Sequence, residues 1–588
     1  MVCIGSTNLS IATNGCRQCL AKCPKVPKLP LSGVVAETIL KLKTAYFLLA
    51  VVVAPGIFAG LLSAAQPALP NAILFVTQVP IATEINDATV SNVFASVVSP
   101  FGNHLADTAH AGRGGDLWLR TPDGALKNLT RAAGFGTNGP QHGIGIAVRD
   151  PVVHWSGARA LFSMVVGAPV GSGDITPFVW QLYEITNLSS VIANSNVTPA
   201  IVKFLNQPTG FNNVMPCYGT DERIIFACDR PRNGAAHLYP QLDEYNDVPT
   251  NTGLWSLDPA TGDLFQLDHS PSGSFHPMID SFGRLLFTRW DHLVQDRNAT
   301  DDRMGRATNG TFNYLDEVNT DYTPTNRPIE IFPEPRTYDS NLLAVLKVQG
   351  NAFNQFFPWM MNEDGTAQEL INHIGRHELA QGFRGSSFTN DPNLVQQFTL
   401  TPGLRFNTNY LNNFMQTRED VLNPGVYVGV DSPDFGMHGA GQILSLYGPP
   451  GTNPDRMFLT YITPKSTAAP NSFGAYRNPL PLSNGGLIAA YTTASAADSN
   501  LGTPAFPQSR YNFRLVTLQK SGATWTTNQF LTSGLTNLAS YWSGATLVTH
   551  TSALWELQPV EVISRAKPGR LVATVAPVEA QEIGRAHV

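Results

Sequence analysis

A short phrase returns with variations from residue 117 toward the C-terminal end: an aromatic-aliphatic strand, a tight Asp/Pro/Gly turn, then a second strand. LWLRTPDGALKNLT opens at Leu117, LWSLDPATGDLFQL at Leu254, FPWMMNEDGTAQEL at Phe357, FRLVTLQKSG at Phe513 and LWELQPVEV at Leu554. A unit that recurs without a core of its own must stack on its neighbours, linearly or in a ring. A second phrase precedes the first in most units: a strand, a turn with Gly or Asp, then an apolar strand ending in polar residues. Asp150 to Met164, Met215 to Arg230, His276 to Asp291, Asn478 to Thr493 and Ala539 to His550 follow it.

Two hairpins in tandem make a four-stranded antiparallel blade whose inner strands are covered by both neighbouring blades, and so read as nearly continuous apolar runs. With weaker members near Trp180 and Ile443, the count predicts an all-β β-propeller of about six or seven blades with long loop insertions. ILFVTQVP, from Ile73 to Pro80, is placed to pair with the final blade and close the ring.

Composition agrees. Charged residues are 14% of the 588, against roughly 25% in an average domain, while 50 Gly and 43 Pro supply turns. Propellers absorb several multiples of the usual ~150 residues into one domain. A net charge of -6 without a basic stripe excludes nucleic acid as a partner.

The ends read differently. Residues 44–65, TAYFLLAVVVAPGIFAGLLSAA, follow Lys41 and Lys43 and finish in small residues. A basic flank, an apolar run and a Ser-x-Ala exit describe a signal peptide over 34–65, cleaved after Ala65. Its length would also suit a membrane anchor, the chain's one membrane contact if uncleaved. Either way the propeller is expected outside the cytoplasm, periplasmic or secreted. Cys16, Cys19 and Cys23-Pro24 match the tail of a ferredoxin cluster motif, but Cys3 stands too far away to complete it. Residues 1–33 are therefore expected to be translated leader. Residues 583–588 are expected to be encoded by sequencing adapter, since Glu582 to Val588 reads as one frame of a common adapter. Residues 566–582 would begin a C-terminal region lost from this sequence.

The propeller phrases, IIFACDRPRNG (Ile224 to Gly234) above all, resemble the TolB-like repeat. SFHPMIDSFGRLLFTRWDHL (Ser274 to Leu293), PWMMNEDGTAQELINHIGRHEL (Pro358 to Leu379) and LWELQPVEV are similar to the middle domain of hydrazine synthase alpha subunits and exported bacterial proteins that share it. The resemblance spans 70–565. It implies a scaffold propeller whose redox chemistry belongs to c-type haem on a flanking domain, and a redox subunit or envelope protein as partner. Haem attachment needs C-x-x-C-H, which the sequence lacks; Cys16 and Cys19 have the spacing without the His. The haem is thus expected in the lost C-terminal part, and no cofactor or catalytic set is assigned to the residues present.

Two polar clusters are candidates for binding at a rim or in the channel. His373, Arg376 and His377 crowd into HIGRHEL. Paired His at i and i+4 on a helix would suit a metal, but H-E-x-x-H is absent, and a loop bonding to neighbouring blades is the simpler reading. His276, Asp291 and His292 form the second, with Arg289 and Asp291 on one side of a strand and able to pair. His154 is taken as the matching position of an earlier blade. The insertion 295–350 carries Asp301, Asp302, Asp316, Glu317 and Asp321 in no EF-hand spacing. With 382–424 it is expected to cover one rim. Cys217 and Cys228 are read as buried and unpaired, because a turn at 219–222 sets 217 against about 224 and 228 against about 213.

The reading is an exported propeller scaffold of a c-type cytochrome redox protein. The alternatives are a TolB-like propeller that binds an envelope protein, or the propeller of a prolyl-oligopeptidase-like hydrolase. For the last, no G-x-S-x-G elbow occurs, and GMHGAG at Gly436 to Gly441 is more simply a turn.

Overall fold

The computed structural model describes residues 66–80, 106, 108, 111–230, 252–293, 353–372, 413–432, 439–493 and 501–573, with short breaks at 269, 271, 455–456, 465–473, 504 and 509–510. Within them lie six four-stranded antiparallel sheets. From the inside outward, blade 1 is Trp555–Glu561, Ile73–Gln78, Leu117–Arg120 and Leu126–Asn128. Blade 2 is Ile146–Val153, Ala160–Val166, Gln181–Ile185 and Ile201–Lys203; blade 3 is Asn213–Tyr218, Ile224–Cys228, Gly253–Leu257 and Leu264–Asp268. Blade 4 is Ser274–Ile279, Leu285–Leu293, Phe353–Met361 and Glu369–Leu370; blade 5 is Phe414–Glu419, Val426–Asp431, Gln442–Tyr447 and Phe458–Tyr461. Blade 6 is Ala475–Pro481, Leu487–Thr492, Arg514–Ser521 and Thr524–Phe530.

Each inner strand packs on the next blade, and blade 6 packs on blade 1, so the ring is closed. Closure is stitched by sequence-distant strands: Ile73 stands opposite Glu561 and Gln78 opposite Trp555. The segment from Ile73 thus pairs with the last strand of the ring, as its sequence predicts. The apolar core lies between blades rather than at the axis. Leu161, Leu182, Phe226 and Trp255 fill the gap between blades 2 and 3, and Val428, Ile443, Ala489 and Val516 that between blades 5 and 6. A blade therefore has no stable face without its neighbours, because each buried large apolar side chain contributes about 1.5–3 kcal/mol only when both walls are present.

The phrases at Leu117, Leu254, Phe357 and Phe513 open the third strands of blades 1, 3, 4 and 6, and Trp180 and Ile443 mark those of blades 2 and 5. Two phrases sit elsewhere. LWELQPVEV is the innermost strand of blade 1, and Ala539–Ser543 with Thr546–His550 forms a separate hairpin that adds Gly139–Pro140 in parallel. Both share the aromatic-aliphatic pattern of a blade strand, and period-2 patterning specifies a covered face without specifying the strand's rank in a sheet. Cys217 faces Ile225 and Cys228 faces Asn213, one residue from the expected register at the first and matching it at the second, and both thiols are free and buried.

Candidate binding site in the central channel

Every innermost strand carries one residue with left-handed backbone: Asp150 (φ 56), Met215 (φ 54), His276 (φ 51), Gln416 (φ 59), Asn478 (φ 48) and Gln558 (φ 54). Each stands at a register shift between the first and second strands of its blade. The next residue is Pro151, Pro216, Pro277, Thr417, Pro479 or Pro559. A proline inside a paired strand would remove a ladder donor, so it is tolerated at a bulge. The bulge frees the backbone N–H of the residue before it, which must find another acceptor.

That acceptor comes from the neighbouring blade. The Asp150 N–H donates to Gln558 Oε1 at 2.8 Å, and the Met215 N–H to Asp150 Oδ2 at 3.1 Å. His276 N–H donates to Met215 Sδ at 3.2 Å, Asn478 N–H to Gln416 Oε1 at 2.6 Å, and Gln558 N–H to Asn478 Oδ1 at 3.2 Å. A belt of five side-chain-to-backbone bonds therefore runs round the channel in one sense, linking every neighbouring pair of blades except blades 4 and 5. Arg149 Nε pairs with Asp150 Oδ2 at 2.6 Å, deep in the protein.

Above this belt, toward the C-terminal ends of the inner strands, opens a cavity of about 600 Å³, within the range of small-molecule sites. Its wall includes Trp155, Cys217, Arg418, Glu419 and Glu561. Residues 562–573 leave blade 1 and cross the mouth as a strap. Val562 N–H donates to Ala72 O and Arg565 N–H to Trp155 O, both at 2.8 Å. Lys567 Nζ then lies 3.3 Å from Glu222 Oε1, and Arg570 Nη1 3.1 Å from Asp221 Oδ2. The strap runs so close to two hairpin turns that a Cβ on Gly157 would meet Ser564 N at 2.9 Å and one on Gly283 would meet Gly569 O at 2.2 Å.

His276 belongs to the belt and lines the cavity; its ring nitrogens are buried. Burial pushes its pKa down to about 3, with the positive field of Arg149, Arg418 and Arg477 acting in the same direction and Asp150 opposing. His154 lies four residues beyond the belt position of its blade, Asp150. Its Nε2 is 3.0 Å from Glu222 Oε2, its Nδ1 is 2.8 Å from Ser156 Oγ, and its ring meets Tyr218 edge-on at 4.7 Å, so it ties blade 2 to blade 3. Asp291 is on the second strand of blade 4, away from the cavity. Its Oδ1 pairs with Arg289 Nε at 3.0 Å and its Oδ2 accepts from Trp359 Nε1 at 2.9 Å. Burial raises it to about 6. His292 follows on the same strand opposite Asn354. His373, Arg376 and His377, the acidic insertion 295–350, and residues 1–33 and 34–65, expected to be leader and signal peptide, lie outside the described residues.

The structure thus brings together His276 with five residues that the sequence clusters did not include. For all of these but Gln416, the signal was the X-Pro dipeptide inside four inner-strand phrases and LWELQPVEV. Among the described residues, no group of three or more His, Cys, Asp or Glu is placed to hold a metal ion. The described thiols, Cys217 and Cys228, are buried on adjacent strands with no histidine following in C-x-x-C-H order, so these residues do not fit covalent haem attachment.

No protein-family model matches the chain, and no curated protein does. Among solved structures it is similar to Kuenenia stuttgartiensis hydrazine synthase, at 13% identity and a TM-score of 0.45, over 86% of this chain and 48% of that one. It is also similar to TolB from Acinetobacter baumannii, at 9% identity and a TM-score of 0.34, over 85% of this chain and 68% of that one. A puromycin hydrolase matches at 10% identity and a TM-score of 0.33, over 81% of this chain and 56% of that one. The chain spans about half the length of the hydrazine synthase chain. The propeller itself is established by strand order and ring closure, and the comparisons assign no residue a role.

Proposed function

We propose that this chain is an exported β-propeller scaffold that works through the mouth of its central channel. In this reading it is the propeller of a larger periplasmic redox protein, of the kind suggested by the hydrazine-synthase-like phrases, with c-type haem carried on residues outside those present. The observation that carries the scaffold reading is the asymmetry of the channel. One half is lined by a belt of buried bonds, and the other opens as a cavity framed by five hairpin turns, the ends of blade 1 and a strap. Export is supported by the apolar run 44–65 behind Lys41 and Lys43.

Fractionating cells that express the full chain, then sequencing the mature N-terminus, tests export: the expected result is a periplasmic protein beginning at Gln66. A photo-crosslinker at Leu422, an exposed residue at the mouth, should capture a haem-staining partner or envelope protein, while one at Val202 on the outer strand of blade 2 should not. A chain retained in the cytoplasm overturns the reading.

A further inference from the structure

The acids that line the cavity are already engaged. Asp150 is held by Arg149, Met215 N–H and Gln558. Asp280 accepts from Arg284 Nε and from the Tyr427 hydroxyl, both at 2.8 Å. Glu419 accepts from Ser281 N–H at 2.7 Å and Gly425 N–H at 3.0 Å, and Glu561 from Ser483 N–H at 2.8 Å and Asn71 Nδ2 at 2.9 Å. These bonds fix the carboxylates into the hairpin turns and tie neighbouring blades together.

The cavity's two arginines are placed differently. Among the described residues, no hydrogen bond or ion pair engages the guanidinium of Arg418, which faces the channel from the inner strand of blade 5. Arg565, on the strap, lies over the Trp155 ring at 5.4 Å, and its one side-chain hydrogen bond among the described residues is a long one, 3.5 Å to Val153 O. Each guanidinium offers five donors in a planar fork. Two cations that line one cavity are stabilised together by an anion that satisfies both. Burial and the charge of Arg565 both depress the pKa of Arg418, with Asp150 opposing. The charge of Arg418, with those of Arg149 and Arg477, also lowers the pKa of His276 at the cavity floor, after burial and against Asp150.

We propose that the channel cavity binds a small oxyanion, carboxylate or phosphoryl, between Arg418 on the wall and Arg565 on the strap. The proposal rests on the reading of the mouth as the binding face and names the ligand class that it takes. Arg418 supplies the fixed contact. Arg565 supplies a contact that comes and goes with the strap, so ligand and strap position are linked.

The test is calorimetric titration of the full chain at low ionic strength with inorganic phosphate and, separately, succinate. Saturable binding of either is expected, with glycerol giving none. Arg418→Gln should weaken it by about tenfold or more, and Arg418→Lys should restore part of the loss. Among the described residues Arg418 has no hydrogen-bond or ion-pair partner to lose, so the variant should fold. Arg565→Gln tests the strap contact, and should weaken binding less. Phosphate alone or succinate alone binding in an Arg418-dependent way supports the proposal and selects the phosphoryl or carboxylate class. Absence of saturation with both, or equal affinity in Arg418→Gln, overturns it. A partner crosslinked at Leu422 in a chain that binds neither anion would remove this inference and leave the scaffold reading standing. Arg418-dependent binding in a chain that is not exported would do the reverse.

Discussion

The floor of the channel cavity is held by buried bonds drawn from all six blades, whereas its roof is held by one tail, fixed near its root and then by exposed ion pairs. The belt residues are mostly buried, and five of the six left-handed residues donate to a neighbouring blade an N–H that the ladder cannot satisfy. In the strap, Lys567 and Glu222 are each more than two-fifths exposed in their side chains. Buried bonds to otherwise orphaned donors are costly to lose, while exposed ion pairs contribute about 0–1 kcal/mol. The floor is thus built to stay and the roof to move, so a ligand's access should be governed by the strap and its orientation by the wall.

The comparison is broken most severely at Asp150. It holds Arg149, caps Met215 and bonds Gln558, so Asp150→Ala takes a carboxylate from a buried arginine, leaves the Met215 N–H without its acceptor and places alanine at positive φ. We expect a loss of about 3 kcal/mol or more, read by urea unfolding. Asp150→Asn, which keeps an acceptor and tolerates the left-handed region, should cost less. Equal losses for the two would show that the belt bond is not what matters.

His276 gives the next effect, through pH. Its folded pKa is lowered to about 3 from the ordinary 6.5. The unfolded chain therefore binds the proton first, and stability present above pH 6.5 falls as pH drops toward 3. His276→Gln should flatten the unfolding free energy over that window; an unchanged slope would place the acid sensitivity elsewhere.

A smaller effect, of opposite sign, is expected in blade 5. Gln416 has the same left-handed backbone as the other belt residues, but Thr417 stands where five blades have proline. If the bulges are equivalent, Thr417→Pro stabilises by up to about 1 kcal/mol by restricting the unfolded chain. A loss of stability would mean that the Thr417 N–H is used and that blade 5 differs from its neighbours.

Much of the ring was legible because a blade strand must be apolar on both faces and its turns need Asp, Gly or Pro. That is why Leu117, Leu254, Phe357 and Phe513 fall on equivalent strands. The rank of a strand was less legible. Trp555 opens an inner strand with the same aromatic-aliphatic pattern that Trp118 shows in a third strand, since both lie between two blades. The belt was hidden for another reason. Its members are of five residue types, one per blade, and no local cluster betrays them. Proline within an apolar strand was the available sign: Pro151, Pro216, Pro277, Pro479 and Pro559 each require a bulge, and five bulges in one kind of strand imply a common ring. Arg418 carried no sign in sequence, because its place in the cavity wall, without a partner among the described residues, depends on which blades surround it.

The strap supplies the smallest effect on stability and the sharpest one on access. Lys567→Ala with Arg570→Ala removes its two exposed ion pairs, to Glu222 and Asp221. The cost in unfolding free energy should be under about 1 kcal/mol. Cleavage of the tail by a protease specific for an engineered site near Pro568 should nevertheless accelerate, because that segment opens locally without unfolding a blade. Gly283→Ala approaches the same contact from the other side, by placing a methyl group against Gly569 O. If both variants expose the tail while unfolding at nearly wild-type denaturant concentrations, the roof moves independently of the floor. If they destabilise as Asp150→Ala does, strap and blades form one cooperative unit, and the cavity is closed in the resting protein.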